Sequence, residues 1–306
     1  MGNRLVVMGT INMDLIAKVP RFPVVGETIA STKYIESLGG KAANQAIAAK
    51  RMGAEVSFIG KLGGDSFGNK LSKQLKNEGL DIDQLRVAET LSTGTSMITI
   101  NEAGENMVVT NLLANSEVSK EEAKHALLAL GNADAALLQL EVPPDVIATI
   151  ITLLKEKNVP IFMNLAPVIS FSAEIRKLVD VLIINEIEAS QLADINVFDK
   201  ETAKQAVLII KEDSEQTIVV TMGAAGVLVY SEKQFYFFKA PLVKAVDTTA
   251  AGDCFCGALT AYWLQEKNML KAVEKAVYAA SLSVTRYGAT TSLPFEKEMA
   301  GFKGKH

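Results

Sequence analysis

Asp253 follows a small-residue turn, Thr248-Thr-Ala-Ala-Gly252, and precedes an apolar run containing Ala258, Leu259, Ala261, Trp263 and Leu264. The run has helical spacing, so the turn becomes a helix N-terminus, where unpaired N–H groups and the helix dipole attract phosphate oxygens. A carboxylate in that field stays ionised and can take a proton from a hydroxyl attacking phosphorus. The amides of Ala250, Ala251, Gly252 and Asp253 would face the phosphoryl oxygens, and Gly252 would leave room for their approach. An ordinary acid in a first helical turn is the competing reading. Near the other end lies Gly39-Gly40-Lys41-Ala42-Ala43-Asn44-Gln45-Ala46. Its glycines let a backbone come close to a ligand, and Lys41, Asn44 and Gln45 present polar groups at the start of a second helical run.

These two glycine segments resemble the paired signatures of the ribokinase and phosphofructokinase-B family of sugar kinases. Gly9-Thr-Ile-Asn12-Met-Asp14, Gln139-Leu-Glu141, Asn164-Leu-Ala-Pro167, Asn185-Glu-Ile-Glu188 and Thr221-Met-Gly223-Ala-Ala-Gly226 follow in the family's order. The resemblance implies ATP-dependent phosphorylation of a sugar's terminal hydroxyl, D-ribose foremost, with Asp253 as general base. Kinases of deoxyribose, another pentose, a ketohexose or a nucleoside are the nearest alternatives, and a non-catalytic sugar-binding homologue is another.

By the same resemblance, Asn12, Asp14, Gly40, Lys41, Asn44 and Glu141 contact the sugar. Carboxylates suit that task because each oxygen accepts hydroxyl protons. Asp14 also suits a turn cap, and Glu141 a solvated loop. Asn185, Thr221, Gly223, Gly226 and Gly252 match ATP contacts, although a glycine turn explains the Gly223–Gly226 segment too. Asn185 and Glu188 share a face of a first helical turn and suit a hydrated Mg2+; a helix cap is the plainer use. The resemblance also assigns Asp247, Thr249, Ser283, Arg286, Gly288 and Ser292 to a monovalent cation, usually K+ in such proteins, whereas Asp247 alone could close a turn. Departures from the family pattern are Ala42, Cys254, Cys256, Val277 and the segment Asn111-Leu-Leu-Ala-Asn115.

Other chemistries lose support. Neither Gly-x4-Gly-Lys-Ser/Thr nor Gly-x-Gly-x-x-Gly occurs, which removes the main sign of a P-loop or a dinucleotide fold. The two histidines, His125 in a helical segment and His306 at the end, leave proton transfer to other residue types. Cys254 and Cys256 have the wrong spacing for a zinc site or structural disulfide. They suit packing, although a thiol at a helix N-terminus could be acidic, and alkylation of Cys254 would then block activity. The 306 residues are 49% hydrophobic and 22% charged, with a net charge of −4. That balance disfavours general nucleic-acid binding. With no apolar stretch of membrane-spanning length and no secretory signal, a cytoplasmic protein is expected.

The elements that must hold these residues read as βαβ. Apolar runs at Leu5–Met8, Val56–Ile59, Ala135–Leu138, Ile161–Met163, Val181–Ile184 and Ile218–Thr221 suit buried parallel strands. Helical patterns near 42–52, 66–78, 119–130, 144–157, 186–193 and 200–213 alternate with them. Two strands, Val227–Tyr230 and Phe235–Phe238, should add an antiparallel edge, followed by two helices. The resemblance implies one α/β domain over 1–306: a three-layer, Rossmann-like, mostly parallel sheet. Residues 14–37 and 93–111 break the rhythm and read as β-structure. In the family they form a small lid over the sugar and a homodimer interface.

Overall fold

The computed structural model describes residues 2–168, 171–211 and 215–302; His306 and the end of the 200–213 helical expectation lie outside them. Thirteen strands are described: β1 (Arg4–Met8), β2 (Asn12–Lys18), β3 (Lys33–Gly39), β4 (Glu55–Gly63), β5 (Leu85–Ala88), β6 (Gly94–Ile100), β7 (Asn106–Asn111), β8 (Ala135–Gln139), β9 (Ile161–Asn164), β10 (Val181–Asn185), β11 (Thr217–Thr221), β12 (Val227–Ser231) and β13 (Gln234–Phe238). The helices are α1 (Lys41–Arg51), α2 (Ser66–Asn77), α3 (Lys120–Ala129), α4 (Pro144–Glu156), α5 (Ala173–Arg176), α6 (Glu186–Ala193), α7 (Lys200–Ile210), α8 (Ala251–Glu266), α9 (Met269–Ser283) and α10 (Glu296–Met299).

Nine strands form the main sheet in the order β13-β12-β11-β10-β9-β8-β1-β4-β5. Pairing is parallel from β5 to β11 and antiparallel at β11–β12 and β12–β13. All six expected parallel strands are present, with the antiparallel pair at the expected edge. Side chains along β1 alternate between two cores. Leu5 and Val7 join residues of α1, α2, α8 and α9, whereas Val6 and Met8 join residues of α3, α4, α6 and α7. Continuous apolar strands are therefore required, because both faces are covered. Short β5, α5, α10 and a 3-10 turn at Leu113–Glu117 had no sequence expectation. Each is too short to show a period.

The remaining four strands make a separate sheet, β3-β2-β6-β7. β2 lies antiparallel to β3 and parallel to β6, and β6–β7 is the expected hairpin. Asn12 and Asp14 thus belong to this lid sheet, not to a loop leaving the main sheet. Only Gly9-Thr10-Ile11 separates β1 from β2, so the first main-sheet strand delivers the lid directly to the strand ends.

Candidate active site

The C-terminal ends of the parallel strands gather the chemistry, as expected for an open α/β sheet. β8 ends at Gln139, β9 at Asn164, β10 at Asn185 and β11 at Thr221. Two helices complete the site, α1 and α8, which pack closely. A Cβ on Gly257 of α8 would lie 2.3 Å from the Gln45 carbonyl oxygen and 2.7 Å from the Ala48 Cβ. Glycine there is what allows the helices to meet.

That approach brings Asp253 against α1. Its carboxylate is 8% exposed. Oδ2 accepts a bond from Asn44 Nδ2 at 3.0 Å, and Oδ1 accepts one from Gln45 Nε2 at 3.0 Å. The preceding turn places Ala250 at the N-cap in the left-handed region, φ 59°. This conformation costs a non-glycine residue about 1 kcal/mol. The Ala251 N–H donates to the Thr248 carbonyl at 3.2 Å, so the expected four-amide cradle loses one member. Among the described residues no acceptor meets the N–H groups of Gly252 or Asp253. A Cβ on Gly252 would find open space within 4 Å. These amides therefore face room for an anion.

A cleft of about 230 Å³ lies there, walled by Lys41, Asn164, Asn185, Glu188, Thr221 and the segment from Ala250 to Asp253. Lys41 is the cation among its walls. Its ammonium is held above the ordinary lysine value, first by Asp253 and further by Glu141 and Glu188, against the effect of burial. Three other carboxyl groups are coupled to Asp253. Burial pushes Asp14 up from 3.8 to about 7, opposed by a Ser96 hydrogen bond and reinforced by the charges of Asp253 and Glu141. Glu141 is raised by burial against the pull of Lys41, the Thr10 hydroxyl and the Lys41 N–H. Burial also raises Glu188. Three acids, Asp253, Glu141 and Glu188, thus act on one ammonium, and Asp14 adds a fourth carboxyl beside Asp253 and Glu141. Such a site favours a ligand that brings hydroxyl donors and a cation.

The acids have different local duties. Gly40 (φ 92°) starts α1 with its Cα against the backbone of Thr10 and Ile11, and no side chain would fit between. Asn12 is buried and internally satisfied: its Oδ1 accepts from Asn115 Nδ2 at 2.9 Å, and its Nδ2 reaches Ser96 Oγ at 3.4 Å. Asn44 keeps its Oδ1 buried and without a partner among the described residues. Asn185 and Glu188 form a reciprocal capping box, each side chain accepting the other's N–H at 2.8 Å. That bond uses Glu188 Oε2, leaving Oε1 for the cleft. Among the described residues no three-residue group of His, Cys, Asp and Glu could cage a metal.

Thr221 lines the cleft, but Gly223 and Gly226 do not. They shape the β11–β12 turn, and a Cβ on Gly226 (φ 123°) would fall 2.0 Å from the Phe238 carbonyl oxygen. Asp247 staples a neighbouring loop: Oδ1 accepts the Thr249 N–H and Oδ2 the Gly288 N–H, both at 2.9 Å. Burial raises this carboxyl, but those bonds outweigh it and hold it below the ordinary range. Ser283 and Ser292 hydroxyls donate to Ala280 and Ala289 carbonyls, and the Arg286 guanidinium pairs with Glu298 at 2.7 Å. The carbonyls of Thr249, Arg286 and Gly288 meet no backbone or side-chain donor among the described residues. A second cleft, about 630 Å³, runs between this loop and the lid residues Ile16, Ile35 and Ile100. The Lys18 ammonium crosses from lid to loop, 4.9 Å from the centre of the Tyr287 ring.

Two sequence expectations need correction or extension. Cys254 is buried and its thiol is pushed up to about 12 by burial, the opposite of an activated thiol; Cys256 is also raised by burial. Desolvation outweighs the helix terminus. Gln45, Gln139, Asn164 and Asn115 stand within the sequence motifs, but nothing in their spacing assigns tasks to them. Asn115 is fully buried and bonded to both the N–H and the carbonyl of Ile11. Only the folded chain reveals these partners, which lie about a hundred residues away.

Comparisons with known proteins agree with this arrangement. The family model described as pfkB family carbohydrate kinase matches residues 3–296. A ribokinase from Haemophilus influenzae is 34% identical over 302 residues, covering 99% of each chain. A deoxyribokinase from Salmonella typhi is 29% identical, covering 95% of each. The structure of Arabidopsis thaliana ribokinase complexed with ribose and ATP superposes with a TM-score of 0.89 at 27% identity, covering 98% of each chain. The coverage runs through both sheets, and the chain therefore belongs to the pfkB family of carbohydrate kinases.

Proposed function

We propose that this protein transfers the γ-phosphoryl group of ATP to the terminal hydroxyl of D-ribose, giving D-ribose 5-phosphate and ADP. The observation that carries the reading is the shared position of Asp253: clamped by α1 amides and adjacent to the open N–H groups of Gly252 and Asp253. Asp253 takes the hydroxyl proton as the new O–P bond forms and the bond from the γ-phosphorus to the bridging oxygen breaks. The N–H groups and Lys41 stabilise the charge on the migrating group. Asp14 accepts sugar hydroxyls, and the unpartnered Asn44 Oδ1 accepts another. Glu141 accepts the Thr10 hydroxyl and lies within the field of the Lys41 ammonium, which it helps to keep charged.

The donor set fits Mg2+ through water: Glu188 has one carboxylate oxygen outside its cap, and Asn185 stands beside it. When bound, the ion would neutralise phosphate charge that Glu188 and Asp253 in the cleft walls otherwise repel. Oxygen groups around Asp247, including the Thr249, Arg286 and Gly288 carbonyls, fit a monovalent cation, K+ in our reading. It would supply a fixed positive charge beside the α8 turn. Ser283 and Ser292 would contribute only oxygens left after their own bonds, and Arg286 only its carbonyl.

The lid also supports a homodimer. Cross-strand register places Met97 beside Val109, and Met107 beside Thr99, on one face of the lid. Tyr34, Met97, Met107 and Val109 are all more than half exposed, a suitable apolar patch for a second copy. No helix among the described residues is long and apolar enough to cross a membrane. Two unpaired cysteines suit a cytoplasmic setting.

The test is sugar-dependent ADP release with ribose, 2-deoxyribose, ketohexoses and adenosine, in K+, Na+ or choline. We expect ribose to give the highest kcat/KM and K+ the highest rate. The similarity to a deoxyribokinase makes 2-deoxyribose the informative competitor. Preference for it, or turnover without any sugar dependence, would overturn the ribose assignment.

A further inference from the structure

We infer that Gln45 is a positioning residue for Asp253, held in one orientation by Gln139 and Asn164. This rests on the reading of Asp253 as the base, and deepens it. The polarity of the chain starts at the backbone. Asn164 Nδ2 donates to the Ile183 carbonyl at 3.2 Å, which leaves Asn164 Oδ1 facing Gln45 as an acceptor. Gln45 must then present its Nε2, which donates to Asn164 Oδ1 and Asp253 Oδ1, both at 3.0 Å. Its Oε1 accepts from Gln139 Nε2 at 2.6 Å. A reversed Gln45 amide would set its oxygen against the Asn164 and Asp253 oxygens. The network excludes it.

Gln45 and Gln139 are fully buried, and neither lines the cleft. Their side chains join three parts of the fold: the end of β8, the end of β9 and the first turns of α1. The base itself sits on α8, more than two hundred residues along the chain. With Asn44 on Oδ2 and Gln45 on Oδ1, the carboxylate cannot rotate without breaking a charge-assisted bond. Its remaining lone pairs keep a fixed direction. Gln45 thus acts on the rate through Asp253 and not by touching either substrate.

The experiment compares Gln45→Met, Gln139→Met, their double variant and Asp253→Asn, measuring kcat, KM for ribose and for ATP, and the thermal midpoint. Loss of orientation should lower kcat of Gln45→Met by about 10- to 100-fold, with both KM values changed by less than about twofold. Gln139→Met leaves the Asp253 bond but frees its donor, so kcat should fall by about 3- to 10-fold. The double variant should be no slower than Gln45→Met, because both act through one bond. A folded Gln45→Met enzyme with parental kcat, a loss carried by KM, or losses that multiply would each overturn the inference. If Gln45→Met does not fold, Gln139→Met decides: a loss in kcat alone supports positioning, and parental kcat rejects it. Near-normal turnover by Asp253→Asn would instead overturn the base assignment. An inactive Asp253→Asn beside a fully active Gln45→Met would overturn only the role of Gln45.

Discussion

Replacing Asp14 with asparagine should make the protein more stable while weakening its hold on the sugar. Asp14 is 6% exposed and shares its surroundings with Asp253 and Glu141. Its carboxyl rises from 3.8 to about 7 in the folded chain. A folded-state value above the unfolded one means that the native protein binds the extra proton. The stability from that proton is full below about pH 4 and is lost as pH rises through about 7. The shift corresponds to roughly 4 kcal/mol, a ceiling because the neighbouring acids readjust when one charge is removed. The asparagine amide cannot ionise and escapes this loss. Denaturant melts of parent and Asp14→Asn should therefore agree within about 1 kcal/mol near pH 4 and diverge, in favour of the variant, up to pH 8. Sugar binding gives the complementary readout. Hydroxyl donors bind the ionised carboxylate more strongly than the protonated one. KM for ribose in the parent should therefore rise below pH 7, by at most about tenfold per pH unit. A stability difference that stays flat from pH 4 to 8, or a variant less stable throughout, would refute the claim that a desolvated charge sits at Asp14.

Gly257→Ala should separate α1 from α8, costing about 1–3 kcal/mol by overpacking, and should lower kcat because Asn44 and Gln45 draw back from Asp253; parental melting and turnover would contradict the close approach. Neither cysteine should react with a thiol reagent in the folded protein at pH 8, since both are buried and raised, and labelling should track unfolding when followed against denaturant. Glu188→Gln should raise the Mg2+ concentration giving half-maximal rate by at least about tenfold, measured by metal titration at saturating ATP, while an unchanged requirement would reduce Glu188 to a helix cap. Met97→Asp paired with Val109→Lys should shift the sedimentation profile toward monomer if the lid forms the dimer, and an unaltered profile would move the interface elsewhere.

Much of this molecule was legible in its linear order. Strands such as Val181–Ile184 announce themselves because both faces of a parallel strand are buried, and the Gly252-Asp253 turn precedes a run that can only be helical. Local spacing also identified the Asn185–Glu188 face, including the cap that it forms. The lid was visible as broken helical periodicity at 14–37 and 93–111, with a hairpin where β6 and β7 now pair.

What spacing could not supply was environment. The dipole argument for Cys254 was locally sound, but complete burial reversed its sign. Gly223 and Gly226 lie in a segment suited to nucleotide contact, yet the geometry of Gly226 answers to the Phe238 backbone. The Gln45–Gln139–Asn164 chain links residues that no local pattern relates. The sequence by itself determined which segments become strands, helices and turns, since those depend on periodicity and neighbours a few positions apart. Only the tertiary structure decided which polar groups share a desolvated space, and there a partner from a distant element sets each orientation and charge.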